Sequence, residues 1–461
     1  GTSGESSPQI AQLDKDKPHE IVLATADGRL TVLDGRTLEP EKGWPRVMHS
    51  TPGSKAIAKR IGTVRPGFLA TPAIGDVAGG RTPEIVAAGL DGRIYAFTPR
   101  GRRVKGFPYA TRLAKPAEKG QLEPAIYGSP ALADLDADGK LDVVVGAADQ
   151  RVYAVDGKGK DLPGWPVLAR DGESGNVAKI LASPAIGDLD GDGKPDVVQA
   201  TGEAYGATPD TTGRVHAFDA TGKPKPGWPV RPPALAADSI PLAGEGVPGG
   251  AVLADVDGDG RDEVAVAAFT GPPQLYRGDG SKVHDFATLS PPVLGLGANA
   301  AFGRFGGSLS YVSGVVDERL ALAQLSPASQ LHFDHLAGAW DAAGGGWRTG
   351  FPRVVEGWQI ISGPAIADVD ADGEAELIFG GSGNVLHAFR ADGGEAAGWP
   401  KPLEGWLLAA PAVGDVDGDG RLEVVSVTRD GWLYVHDTPT PAGEQEWPSF
   451  RHDLRNSGRH R

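Results

Sequence analysis

The chain has 461 residues, of which 40% are hydrophobic and 23% charged, a composition typical of soluble folded proteins. A formal net charge of −15 argues against nucleic acid as the main partner, and no apolar run of about 18 residues predicts a membrane-spanning helix. Cysteine is absent, which excludes disulfides, thiolate metal sites and cysteine nucleophiles, while 68 glycines and 38 prolines favour short strands joined by turns.

One phrase recurs along the chain: a Ser-Pro-like pair, a few apolar residues, an acidic loop and an apolar run. A repeat of about 50 residues is long enough for one four-stranded blade. The sequence therefore predicts an all-β fold, a single eight-bladed β-propeller over residues 1–461. Its approximate units are 5–48, 66–110, 124–168, 180–230, 246–290, 296–354, 358–402 and 405–450, with a C-terminal closing segment at 446–461.

Each unit continues in the same way after its loop. Alternating apolar and polar residues predict further strands, and an aromatic–Pro pair follows in every unit except the fifth. Because proline cannot donate to a sheet, we interpret the pair as the outermost strand or the exit of the blade, including Trp447–Pro448 in the last unit. The residue before each loop is Ala or Gly in all eight units, which indicates innermost strands that converge on an axis.

The strongest chemical pattern is D-x-D-x-D-G-x-x-[DE], which is complete in five units. Carboxylates at positions 1, 3 and 5 of a curled loop converge on one point, the glycine at position 6 permits the sharp turn, and position 9 closes the cage from the next strand. Oxygen ligands in this number favour Ca²⁺, so about five calcium sites are predicted. Their ligands are Asp134, Asp136, Asp138, Asp142, Asp188, Asp190, Asp192, Asp196, Asp255, Asp257, Asp259, Glu263, Asp368, Asp370, Asp372, Glu376, Asp415, Asp417, Asp419 and Glu423.

Three further loops depart from this pattern. Unit one keeps Asp14, Asp16 and Glu20 but has Lys17 in place of the glycine, so a sixth calcium site there is left open. The loop of unit two retains Asp76 and Glu84 but has Ala78 and Gly80 between them, and the loop of unit six has Arg304, Gly306 and Ser308, so both are predicted to hold no calcium. In unit six, we expect Arg304 to occupy the vacant cation position.

The acidic loop between strands, the Ser-Pro-Ala lead-in and the Gly-Trp-Pro exit resemble the FG-GAP/VCBS repeat family, bacterial relatives of the integrin α-subunit propeller. The closing segment EWPSFRHDLRNSG, at 446–458, is similar to the terminal segment of many secreted bacterial members. The resemblance covers nearly the whole chain. It implies Ca²⁺ in the loop that joins the first and second strands of a blade, and an extracellular, periplasmic or cell-surface location. It also implies a role in adhesion, ligand binding or support of an attached enzyme.

Catalytic motifs are missing: the sequence has no H-E-x-x-H pair, no G-x-S-x-G elbow and no phosphate-binding loop. Twenty of the 60 acidic residues are assigned to the predicted calcium loops, which makes those carboxylates poor general acids. We therefore expect a binding or scaffold propeller without enzymatic activity, either a monomer or part of a larger assembly. Its protein or glycan ligand is expected on the face opposite the calcium loops, where Phe68, Tyr127, Trp358 and Trp406 precede innermost strands.

Two alternatives stay open at this point. One is a polysaccharide lyase or glycosidase built on the calcium-binding propeller. The other is an accessory domain of a secreted protease that lies upstream, because the chain enters its first unit almost at once and is expected to be a fragment of a larger precursor.

Overall fold

The computed structural model describes residues 4–48, 67–80, 82–112, 125–169, 179–202, 213–233, 246–269, 271–288, 293–317, 334–358 and 362–460. Within these ranges, thirty strands form eight antiparallel sheets that follow one another along the chain, here called blades 1 to 8. The predicted eight-bladed β-propeller is confirmed. The described part of the chain holds no helical segment with the length and hydropathy of a membrane span.

Every blade is built from strands that are consecutive in sequence. Blades 1 to 4 consist of β1 (Gln9–Ala11), β2 (Glu20–Ala24), β3 (Arg29–Asp34), β4 (Arg46–Val47); β5 (Ala73–Gly75), β6 (Glu84–Ala88), β7 (Arg93–Phe97), β8 (Tyr109–Ala110); β9 (Ala131–Ala133), β10 (Asp142–Gly146), β11 (Arg151–Val155), β12 (Val167–Leu168); and β13 (Ala185–Gly187), β14 (Asp196–Ala200), β15 (Val215–Phe218). Blades 5 to 8 consist of β16 (Val252–Ala254), β17 (Glu263–Val266), β18 (Gln274–Tyr276), β19 (Lys282–Asp285); β20 (Val293–Phe305), β21 (Ser308–Asp317), β22 (His335–Asp341), β23 (Arg353–Val355); β24 (Ala365–Ala367), β25 (Glu376–Gly380), β26 (Val385–Phe389), β27 (Lys401–Pro402); and β28 (Ala412–Gly414), β29 (Arg421–Val427), β30 (Leu433–Pro441).

The cores lie between neighbouring blades. Val22 and Leu30 of blade 1 pack with Ile85 and Phe97 of blade 2 in one buried cluster, and similar clusters join the other blades. A strand that is covered by a sheet on each side has two apolar faces, which explains why most second strands are buried at every residue. Burial of apolar surface between the sheets therefore drives closure of the ring.

The small residue before each acidic loop lies where adjacent innermost strands approach one another. A Cβ atom added to Gly75 would lie 2.6 Å from Leu141 Cδ1, and one added to Gly303 would lie 2.7 Å from Ile366 Cδ1. Both partners belong to the next blade. The Ala-or-Gly pattern thus reflects the packing around the axis.

Two blades depart from the predicted four strands. In blade 4 the outer position is reduced to one isolated bridge between Val215 and Val230. In blade 8, β30 runs to Pro441 and the chain then turns to the axis, where Trp447 exchanges two backbone hydrogen bonds of 2.9 Å with Ile366 of blade 7. The prediction that Trp447–Pro448 marks a blade exit is therefore wrong.

The other aromatic–Pro pairs confirm the expectation. Each of their prolines forms a cis peptide bond, and in five blades the outermost strand begins at the next residue or the one after it. The indole nitrogens also connect blades: Trp44 Nε1 donates to Pro99 O at 2.6 Å and Trp228 Nε1 donates to Gly278 O at 2.8 Å. The motif thus starts an outer strand and ties it to the following blade.

The C-terminal segment 447–460 closes the ring from the inside. Six of its carbonyl oxygens accept backbone N–H groups from the innermost strands of blades 7, 8, 2, 3, 4 and 5. The donors are Ile366, Val413, Ile74, Leu132, Ile186 and Leu253. Asn456, which is fully buried, adds blade 1 because its Oδ1 accepts Gln9 Nε2 at 2.9 Å. One short segment therefore contacts most of the ring.

The hydroxyl of the Ser-Pro-like pair has a related role. Ser7 Oγ accepts the N–H of Ala410 at 2.9 Å, and Thr71 Oγ1 accepts the N–H of Ser7 at 3.0 Å. In the same way, Ser129 Oγ accepts the N–H of Thr71 at 2.8 Å, and Ser183 Oγ accepts the N–H of Ser129 at 2.9 Å. The chain of bonds links blade 8 to blade 1 and continues to blade 4. Because all four side chains are buried, each bond satisfies a backbone N–H that has no access to water.

Candidate metal centres

The loop that joins the first and second strands has the same frame in seven blades. The Ala or Gly before the loop pairs with the acidic residue at position 9, the first residue of the second strand in most blades. One oxygen of that carboxylate accepts the N–H of loop position 2 at 2.6–3.0 Å, which fixes the side chain against the loop backbone. These carboxylates are Glu20, Glu84, Asp142, Asp196, Glu263, Glu376 and Glu423.

The five complete loops share a second bond. The carboxylate at position 1 accepts the N–H of the glycine at position 6 at 2.8–3.1 Å. In blade 7 this glycine, Gly373, has a φ of 89°, which a residue with a side chain adopts only with strain. The loop thus curls around its own first carboxylate.

Carboxylate oxygens converge in these loops. Groups whose oxygen atoms lie within 4.8 Å of one another are formed by positions 1, 3 and 9 in blades 3, 4 and 7 and by positions 1, 3 and 5 in blade 5. In all five complete loops, the aspartate at position 5 also accepts the N–H of position 7 at 2.8–2.9 Å. The blade 8 loop, Asp415 to Glu423, repeats the two frame bonds. Several of these acidic clusters could bind a metal ion; that each of the twenty named residues is a ligand stays a prediction.

Burial makes the ionised form of these carboxylates unfavourable without a cation. Burial, with smaller contributions from neighbouring carboxylates, raises the pKa of Glu376 to about 8 and that of Asp142 to about 7. Burial raises the pKa of Asp196 only to about 6, because Lys225 hydrogen-bonds to it and opposes the shift. A cation inside a loop would restore the ionised state.

Blade 7 provides the clearest test of fit. Asp370 Oδ1 and Glu376 Oε1 are buried, and neither accepts a hydrogen bond from the described residues. Buried polar oxygens are almost always paired, so two unpaired carboxylate oxygens in one converging group indicate a missing positive partner. Hard oxygen donors of this kind match Ca²⁺.

The loop of blade 1 also converges. Asp14, Asp16 and Glu20 have oxygens within 4.8 Å of one another, although Lys17 replaces the glycine. Gln12 Nε2 donates to the carbonyl oxygens of Asp14 and Asp16 at 3.1 and 2.7 Å, which holds the loop in place of the missing position 1 carboxylate. The sixth cluster is therefore formed, and its occupancy stays open.

Blade 6 corrects one prediction. The expectation that Arg304 fills the vacant cation position is wrong, because Arg304 is the second-last residue of the innermost strand and lines the axial cavity instead. Arg348 takes that position: its Nη2 donates to Phe305 O at 2.7 Å and to Gly306 O at 2.8 Å, and its Nη1 donates to Ser308 Oγ. The sequence pattern missed this residue because it lies more than 40 positions from the loop.

A cavity of about 660 Å³ opens at the axis on the metal-loop face, lined in part by His19, Arg304, Glu446, His452 and His460. Glu446 Oε2 accepts Arg304 N at 2.8 Å and is 2.9 Å from His460 Nε2. Burial alone would raise the pKa of Glu446, but the contacts with His460 and Arg304 outweigh it and hold that pKa below its usual range. This cavity was not predicted, because no local pattern in the sequence shows that the closing segment returns to the axis.

The aromatic residues expected on the opposite face have different environments. Phe68 is fully buried, while Tyr127 and Trp358 are half-buried. Trp406 is 47% exposed, and Trp432, which the sequence analysis did not select, is 55% exposed. The prediction of a ligand on this face stays untested.

Trp406 and Trp432 are neighbours on that face. Arg429 N donates to Trp406 O at 2.7 Å and Thr428 N donates to Trp432 O at 2.9 Å, so two consecutive residues hold both tryptophans. The Arg429 guanidinium lies 5.7 Å from the centre of the Trp406 ring. The turn between β29 and β30 that carries Trp432 lies at the end of β29 away from the metal loop.

The comparisons with known proteins agree with this repeat structure. A model of the FG-GAP-like repeat matches residues 134–199 and 368–426, which include the complete loops of blades 3, 4, 7 and 8. The chain carries FG-GAP-like repeats. This confirms the resemblance found in the sequence. A search of curated proteins gave no match.

Solved structures share the fold of this FG-GAP-like repeat protein. BamB from Moraxella catarrhalis matches with a TM-score of 0.52 at 13% identity, covering 93% of this chain and 95% of that one. A europium-containing methanol dehydrogenase matches with a TM-score of 0.60 at 13% identity over 93% and 83% of the two chains. The Dos1 propeller gives 0.54 at 11% identity over 96% of each. At these identities the similarity shows the fold alone.

Proposed function

We propose that this chain is a calcium-stabilised extracellular propeller that binds a ligand or supports a partner and does not catalyse a reaction. The observation that carries the proposal is the repeated convergence of loop carboxylates, with two unpaired buried oxygens in blade 7. Hard oxygen donors in flexible loops favour Ca²⁺ over Mg²⁺, which prefers tight octahedral sites that retain water. Loops of this kind suit the millimolar calcium found outside cells.

Bound calcium would supply positive charge to each cage. The residues of the chain shape the cage. The carboxylate at position 1 holds the curled loop by accepting the N–H of the glycine at position 6, and the carboxylate at position 9 attaches the cage to the second strand. The loop therefore links the two inner strands of a blade. With no cysteine in the sequence, disulfides cannot provide such cross-links.

For the ligand we propose a glycan that binds at Trp406, Trp432 and Arg429 on the face opposite the metal loops. Exposed tryptophans that are held by their backbones present flat apolar faces at little entropic cost, and such faces stack on the C–H surfaces of sugar rings. The Arg429 guanidinium beside the Trp406 ring adds hydrogen-bond donors for hydroxyl or carboxylate groups.

Replacing either tryptophan with alanine is expected to weaken binding to the preferred polysaccharide at least about tenfold, because each ring loses its stacking partner. Affinity electrophoresis against a panel of soluble polysaccharides would select the ligand and measure the loss. Val354→Ala is the matched control, since Val354 is 64% exposed in blade 6. Unchanged retardation of both tryptophan variants, or retardation of none of the proteins by any polysaccharide, would refute the glycan proposal and leave a protein ligand.

The axial cavity is the feature that a lyase or glycosidase would use. Its best-placed carboxylate, Glu446, is already engaged by Arg304 N and His460 and is held in the ionised form. An ionised, paired carboxylate is a poor general acid. Glu446 therefore does not supply the general acid that a glycosidase needs.

A further inference from the structure

The metal loop of blade 4 contains a positive charge from the chain itself. Lys225 Nζ lies 2.6 Å from Asp190 Oδ2 and 2.7 Å from Asp196 Oδ2, which are positions 3 and 9 of the loop. The Lys225 side chain is only 8% exposed. Its ammonium group therefore lies among the carboxylates that the sequence assigns to a calcium ion.

Backbone hydrogen bonds define the place of Lys225 in the blade. Its N–H donates to Ala217 O on the third strand, and its carbonyl accepts the N–H of Trp228 in the aromatic–Pro pair. The same two bonds occur in six blades, and we call the residue that makes them the register residue. The register residues are Glu41, Val104, Leu162, Lys225, Arg348 and Ala396 in blades 1, 2, 3, 4, 6 and 7.

The register residue is charged in blades 1, 4 and 6 and uncharged in blades 2, 3 and 7, where blade 2 has lost two of its four loop carboxylates. Leu162 and Ala396 are uncharged and accompany complete acidic loops. Arg348 places its guanidinium in the blade 6 loop, which has lost its carboxylates. Glu41 lines a cavity of about 640 Å³ together with Asp14 and Glu20 of the blade 1 loop. The position thus reaches the loop in three blades where its side chain is charged.

We propose that a charged side chain at the register position can supply the cation of its loop, and that Lys225 replaces the metal ion in blade 4. The inference rests on the proposed calcium binding by the other complete loops, in blades 3, 5, 7 and 8. An ammonium within hydrogen-bond distance of two ligand carboxylates both fills the space of a divalent ion and repels it. Blade 4 therefore keeps its two inner strands linked at any calcium concentration.

Reciprocal variants test this assignment by the number of calcium ions bound per chain. Lys225→Met removes the charge and keeps most of the side-chain length, and we expect one additional calcium to bind. Leu162→Lys introduces an ammonium at the register position of blade 3, and we expect one calcium fewer. Lys223→Met, two positions from Lys225 and exposed, is the control that leaves the number unchanged. Stoichiometry is measured by calorimetric titration of chelator-treated protein and by elemental analysis after dialysis.

Melting temperature gives a second readout that does not need the stoichiometry. Lys225→Met is expected to melt lower than the parent protein in chelator, because Asp190 and Asp196 lose their counter-ion, and to recover when calcium is added. If the parent protein binds calcium but Lys225→Met gains neither an additional ion nor a calcium-dependent recovery of its melting temperature, the assignment of Lys225 is wrong and the proposed function stands. A parent protein that binds no calcium overturns the proposed function.

Discussion

Removal of calcium with EGTA is expected to lower the melting temperature of the protein by about 10 °C. A ligand at a hundredfold excess over its dissociation constant stabilises the folded state by about 2.7 kcal/mol per site, so four loops contribute about 11 kcal/mol. An unfolding entropy of about 2.1 cal/mol/K per residue gives this 461-residue chain about 1 kcal/mol of stability change per kelvin, if the ring unfolds as one unit. Scanning calorimetry with and without chelator measures the shift.

The control for this experiment is the identity of the ion. Calcium added in excess of the chelator should restore the original melting temperature. Magnesium at the same concentration should restore little of it, because the flexible carboxylate loops do not offer its preferred octahedral site. A melting temperature that is the same in EGTA and in calcium would contradict a structural role for the loops.

The second large effect is expected from Asp370→Ala compared with Asp76→Ala. In calcium, Asp370→Ala should reduce the free energy of unfolding by about 2.7 kcal/mol, the contribution of one well-occupied site. In EGTA the same variant should be neutral or stabilising, because it removes like-charge repulsion from Asp368 and Glu376. Denaturant unfolding in calcium and in EGTA measures how the free energy of unfolding of the variant differs from that of the parent protein.

Asp76→Ala is the matched variant from the blade 2 loop, which keeps Glu84 at position 9 but has Ala78 and Gly80 at positions 3 and 5. Asp76 Oδ1 accepts the N–H groups of Gly79 and Gly80, at 2.7 and 2.9 Å. Its replacement should cost the same small amount of stability in calcium and in EGTA. Equal calcium dependence of the two variants would refute the distinction between occupied and vacant loops.

Local sequence patterns predict the repeated parts of this fold because local forces build them. The apolar run in β6, the alternation in β7, the Ala or Gly before each loop and the D-x-D-x-D-G spacing each act within one blade or between neighbours. The carboxylate at position 9 is identified by the same spacing. All of these features have a fixed period, which a single sequence displays.

The features that the sequence does not reveal depend on contacts between distant residues. Trp447 belongs to an aromatic–Pro pair, the motif expected at a blade exit. It nevertheless lies at the axis, because it pairs with Ile366 and not with a strand of its own blade. Lys225 and Arg348 lie about 30 and 40 positions after the loops that they enter. The sequence of a loop predicts its carboxylate ligands, but it does not reveal a charged side chain that enters the loop from another part of the blade.

The most direct test of the account is a crystal structure of the protein grown in calcium, with anomalous scattering used to locate the ions. We expect an anomalous peak inside the loops of blades 3, 5, 7 and 8, with carboxylate oxygens at about 2.3–2.6 Å, and none in blades 2 and 6. A folded ring in which the loops of blades 3, 5, 7 and 8 show no such peak would contradict the central claim that calcium occupies these loops.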